Sequence, residues 1–137
     1  MDKAQILKDF CKQILELHKT IVFAGVVDNV GILVMAEYKN GLIRSLSRQE
    51  LESSILQETV RMAAGKGMET NLGKLVYTFS LYEKVKRATI RLSNPVDHML
   101  VLLFDIKAEH ESIILKKILP HLQKHGLYEN AWLKRIR

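Results

Sequence analysis

The stretch TIVFAGVVDNVGILVM (residues 20–35) decides the fold. Ile21 to Val27 is a run of apolar residues and one Gly, the next four residues are Asp28-Asn29-Val30-Gly31, and Ile32 to Met35 are apolar again. β-branched and aromatic residues suit a pleated backbone, whereas Asp, Asn and Gly accept turn conformations, so the pattern reads strand, turn, strand. Both runs are almost continuously apolar rather than alternating. That predicts a hairpin buried on both faces, as at the centre of a covered sheet.

Working outward, residues 2–17 carry Ile6, Leu7, Phe10, Cys11, Ile14 and Leu15 at three- and four-residue spacing, an amphipathic helix. Asp2 with Gln5 three positions later has the form of a capping box at its start. Downstream, Asn40-Gly41 marks a second turn, and Ser47-Arg48-Gln49-Glu50 is an S-x-x-E capping box opening a second helix over residues 47–64. That helix has two apolar stripes, Leu51, Ile55 and Met62 on one and Leu56, Val60, Ala63 and Ala64 on the other. Such breadth exceeds a single contact face and predicts contact with both its own sheet and a second subunit. Gly65-Lys66-Gly67 is expected to end it.

Three strands follow, over residues 74–81, 85–92 and 98–106, separated by Tyr82-Glu83 and Ser93-Asn94-Pro95. In the first, Leu75, Tyr77, Phe79 and Leu81 alternate with Lys74, Val76, Thr78 and Ser80. In the second, Ala88, Ile90 and Leu92 alternate with Arg87, Thr89 and Arg91, which predicts one core face and one wet face. Met99 to Phe104 is apolar at every position and predicts a central strand. A last helix carries Ile113, Ile114, Leu115, Ile118, Leu119 and Leu122 and ends near Gly126, with Pro120 predicting a kink or break.

The chain's 137 residues, 47% apolar and 26% charged, fit one globular domain with an ordinary core, over residues 1–126, plus a basic C-terminal tail over residues 127–137. A single Cys excludes an internal disulfide. With no charged segment leading into a long apolar run at the start, and no run near the ~18–20 residues of a bilayer span, the expected compartment is the cytoplasm without a membrane span.

The order of helix, hairpin, helix, three-stranded meander and helix resembles the roadblock (dynein light chain-like) family in its stand-alone form. The resemblance rests on the hairpin of residues 21–35 with its Asp28-Asn29-Val30-Gly31 turn, the single helix of residues 47–64, and the meander ending in Met99 to Phe104. It covers residues 2–126. Longin and profilin-like folds and sensory domains of the PAS or GAF type share parts of the pattern, but sensory domains usually carry more helical segments between hairpin and meander. The resemblance implies an α+β, roadblock/profilin-like fold: a five-stranded antiparallel sheet with N-terminal, central and C-terminal helices. It also implies homodimers or heterodimers and a non-catalytic role as partner or regulator, often of small GTPases. The candidate dimer interface is Leu51, Ile55, Leu56, Val60 and Ala63.

Signatures of catalysis are weak. Residues 67–74 resemble a phosphate loop, but five residues separate Gly67 from Gly73 where four are needed, and Leu75 stands where Ser or Thr is required. His121 and His125 have the four-residue spacing of a metal-ligand pair, yet no third ligand accompanies them. Cys11 lies on an apolar stripe, as a packed thiol would. Glu50/Glu52 and Glu109/Glu111 point apart and suit helix starts. The expectation is no enzyme, no cofactor and no metal.

The net charge of +6 is uneven. Residues 74–92 and 107–137 each carry a surplus of four positive charges, and the candidate site for an anionic partner is Lys74, Arg87, Arg91, Lys134, Arg135 and Arg137. Nucleic acid is the weaker reading, because Tyr77 and Phe79 fall on the apolar face instead of beside the arginines, where they would stack on bases. Small-molecule sensing in a cavity between sheet and helix is a third class.

Overall fold

A computed structural model describes residues 2–39, 48–95, 97–129 and 132. Helix α1 (Lys3–Glu16) begins at Asp2, whose carboxylate accepts from the Gln5 amide at 2.8 Å. The other half of the expected capping box does not form, because the Gln5 side chain donates forward to Asp9 instead. Strands β1 (Ile21–Val27) and β2 (Leu33–Tyr38) form the hairpin, helix α2 (Arg48–Gly65) follows, and β3 (Tyr77–Leu81), β4 (Val85–Arg91) and β5 (Met99–Asp105) make the meander. The five strands are antiparallel in the order β2-β1-β5-β4-β3. This is an α+β fold, with the fully apolar β5 at the middle of the sheet as its sequence requires.

Helices cover both faces, which is why β5 has no polar position before Asp105. Leu100, Leu102 and Phe104 pack with Cys11, Ile14, Ile114, Ile118 and Leu122 on one side. Met99, Val101 and Leu103 pack with Leu51, Ile55 and Met62 of α2 on the other. Every residue of β1 is buried. The expectation of burial on both faces fails for β2, an edge strand whose Val34 and Tyr38 are exposed.

Helix α2 ends at Gly65, within the Gly65-Lys66-Gly67 stretch expected to stop it. The chain continues in a 3-10 turn (Lys66–Met68) and a short helix α3 (Glu69–Leu72), and stops at Gly73, where φ is 85°. A positive φ favours glycine, and Gly73 supplies one where the run ends. At the C-terminal end, α4 (His110–Ile113), a π-turn (Ile114–Ile118) and α5 (Leu119–Lys124) follow one another without a break. Pro120 lacks an amide and its ring opposes the carbonyl of Lys116; the wider turn before it takes up that misfit where a kink or break was expected. Packing continues past Gly126: Tyr128 is buried, and Trp132 packs on the same core while its indole N–H donates to the Tyr128 hydroxyl at 2.9 Å. The Asn40-Gly41 turn, the Ser47 cap and the tail residues Lys134, Arg135 and Arg137 lie outside the described residues.

Candidate interaction surface

Helix α2 separates its apolar residues onto opposite sides. Leu51, Ile55 and Met62 are buried against Phe23, Val101 and Leu103. They belong to the chain's own core, so Leu51 and Ile55 leave the candidate dimer interface. Leu56 and Val60, at 54% and 64% exposed, face outward together with Ala63 and Ala64. The hairpin turn extends this surface. Asp28 holds the turn by accepting from the Val30 and Ile32 amides, each at 3.0 Å, and Gly31 adopts φ 87°. A Cβ on Gly31 would lie 3.7 Å from the Leu56 side chain, so the turn abuts α2, and Val30 and Ile32 are exposed beside the helix stripe. Leu56, Val60, Val30 and Ile32 are thus four exposed aliphatic side chains on adjoining elements, and exposed apolar surface of this kind marks interaction sites where it is contiguous. Sequence reading missed Val30 and Ile32, because a turn bears no periodicity to mark its outward side.

Beneath the helix, one polar residue interrupts the inner stripe. The Glu58 side chain is 2% exposed, accepts from the Thr78 hydroxyl, and pairs with Arg87 at 3.3 Å and with Arg61 at 3.3 Å. Arg87, 6% exposed, also donates to the Ser54 hydroxyl and lies over the Tyr82 ring. Arg91 pairs with Glu69 of α3 at 2.5 Å. The sheet face expected to be wet is therefore roofed by α2 and α3, and its two arginines are neutralised by carboxylates from the roof. Arg87 and Arg91 are corrected from an open anion site to internal ion pairs; Lys74 stays exposed.

Elsewhere, Phe79 stacks on His110 with ring centroids 3.9 Å apart, so this aromatic is engaged under the last helix rather than offered to bases. Burial, then the charge of Lys86, lowers the pKa of His110. Burial, then His125 and Lys124, lowers that of His121, whose ring lies 4.5 Å from that of His125. Burial pushes the Cys11 thiol up to about 12, aided by Glu37, which leaves it protonated and unreactive near neutral pH. Among the described residues no three His, Cys, Asp or Glu side chains are grouped to hold a metal, and no helix is long and apolar enough to cross a membrane.

No family model of known proteins matches the chain, and no curated protein does. Solved structures do. MglB of Myxococcus xanthus superposes with a TM-score of 0.67 at 15% identity, covering 96% of each chain. A roadblock/LC7 domain from Streptomyces avermitilis gives 0.63 at 7% identity over 88% of this chain and 97% of that one. The fold is the roadblock/LC7 fold. The gliding protein MglB from Thermus thermophilus shares it as well, with a TM-score of 0.61 at 15% identity over 78% of this chain and 76% of that one. Within this roadblock fold the exposed stripe of α2 and the adjoining hairpin turn form the candidate interaction surface.

Proposed function

We propose that the chain is a homodimeric, non-catalytic interaction and regulatory module of the cytoplasm, and that its partner is a small GTPase or another regulatory protein. The observation that carries this reading is the double-sided α2: one stripe fills the core, and the other, Leu56 with Val60 and Ala63, remains for a second subunit. A symmetric pair of such helices buries the same residues on both copies, the self-complementary arrangement of a two-fold dimer. The roadblock resemblance supports the regulatory role and the GTPase class of partner, and a structure of MglB with a tetrameric arrangement supports assembly as a habit of the fold. Lys74 and Lys84 are exposed members of the first charge surplus and belong, in this reading, to solubility.

The test is affinity capture of the tagged chain from a lysate of its own organism, divided into nuclease-treated and untreated halves and read by mass spectrometry. The same small GTPase in both halves, binding the purified chain directly in a second assay, is the expected result. Recovery that vanishes with nuclease overturns the reading in favour of nucleic acid.

A further inference from the structure

At the end of the sheet where Val85 pairs with Asp105, a cleft of about 650 Å³ opens between the segment after α1, the loop after β5 and the first turns of the last helix. Lys19, Lys107, Lys116 and Lys117 line it, contributed by those three segments, with Thr20 and Ser112 between them. Two further lysines border it but are already occupied. Lys39 donates to the carbonyls of Leu15, His18 and Lys19, and Lys86 to that of Ala108, so they neutralise backbone dipoles. Against this stand Asp105, whose carboxylate accepts from the Lys107 amide, and Glu109.

On the roofed face of the same sheet, each arginine meets a carboxylate. Here, among the described residues, no ion pair engages the four lysines; the one bond any of their ammonium groups makes is from Lys117 to the Leu17 carbonyl, at 3.4 Å. Helix dipoles do not account for the arrangement. Lys107 precedes the N-terminal end of the last helix, where a cation is disfavoured, and Lys116 and Lys117 sit in its middle turns. His18 adds a donor. Its Nδ1 lies 2.8 Å from the Thr20 hydroxyl and 3.2 Å from the Thr20 amide nitrogen; with the ring proton on Nε2 both donate to Nδ1, and no described residue takes up the Nε2 N–H.

We propose that this cleft binds a small phosphorylated ligand carrying two or more phosphate charges. Lysine ammonium groups bind phosphate as point charges, the Ser112 hydroxyl and the His18 imidazole N–H supply directional donors, and the volume lies within the ~300–1,000 Å³ of small-ligand sites. The positive surplus of residues 107–137 thus has part of its use at this cleft, on the opposite end of the sheet from Lys74. The inference does not depend on the dimer.

Titration of the full chain with inorganic pyrophosphate, by calorimetry at constant ionic strength, tests it. Saturable one-to-one binding is expected, weakened at least about tenfold in Lys107→Glu/Lys116→Glu and little changed in Lys3→Glu/Lys74→Glu, which alters net charge equally at the other end of the sheet. Equal weakening in both variants means net charge rather than a site, and overturns the proposal. So does wild-type protein that gives no saturable binding, or that binds an oligoglutamate peptide but not pyrophosphate. If the cleft variant does not fold, amide chemical shifts of the wild type decide. Pyrophosphate should move residues 18–20 and 107–112, and movement elsewhere alone refutes the site.

Discussion

Replacing Glu58 with Ala leaves the Arg87 guanidinium 6% exposed beneath α2, with the Ser54 hydroxyl and the Tyr82 ring as its remaining partners. Breaking a buried pair by removing one member costs about 3–5 kcal/mol, because the surviving charge stays desolvated. For a chain of this size that corresponds to a fall in Tm of roughly 10–20 °C. Removing both charges together, in Glu58→Leu/Arg87→Met, takes the desolvation penalty away along with the attraction. The double variant should lose less than about 2 kcal/mol, since apolar replacement of a buried pair is often neutral or stabilising. Urea unfolding followed by circular dichroism on wild type, both single variants and the double variant closes the cycle. A Glu58→Ala cost below about 1 kcal/mol, the range of exposed ion pairs, would refute the claim that α2 seals this face.

Two further perturbations probe the core and the helical cap. A methyl group at Gly25 would come within 2.9 Å of the Phe23 ring and 3.0 Å of the Leu33 side chain, both fully enclosed, so Gly25→Ala should destabilise the fold by about 1–3 kcal/mol, read as a lower urea midpoint with the slope unchanged. Wild-type stability there would mean the ring has room to shift. His110 and His121 both have folded-state pKa values below their ordinary 6.5, so the folded state favours the neutral ring. Their contribution to stability is present above pH 6.5 and is lost as pH falls below it. The urea midpoint should therefore decline between about pH 7 and 5, and His110→Phe, which keeps the stack on Phe79, should flatten the decline; an unaltered slope in that variant would remove His110 from the account.

The parts of this molecule that sequence reveals are those encoded by period. β5 is apolar from Met99 to Phe104 because both of its faces are covered there, and the inner and outer stripes of α2 are spaced at helical intervals, so the hairpin, meander and two-sided helix are all legible. What local pattern does not carry is pairing across distance. Arg87 and Arg91 alternate with Ala88 and Ile90 in the way of a solvent face, yet their carboxylates arrive from Glu58, 29 residues earlier, and from Glu69. The lysine cleft is scattered over three segments that only the fold assembles. Gly65-Lys66-Gly67 reads as a stop and α2 does end at Gly65, but that signal does not mark the 3-10 turn and short helix that follow, which close at Gly73 with φ 85°. Pro120 reads as a kink or break because the proline rule assumes an α-helical turn before it, and here that turn is wider.

Sedimentation equilibrium on the wild type and on Leu56→Glu/Val60→Glu tests the central claim most directly. Neither side chain contributes to the core, so the variant should keep its circular dichroism spectrum. The account predicts a wild-type dimer and a folded monomeric variant. A monomeric wild type, or a variant that still dimerises, contradicts it.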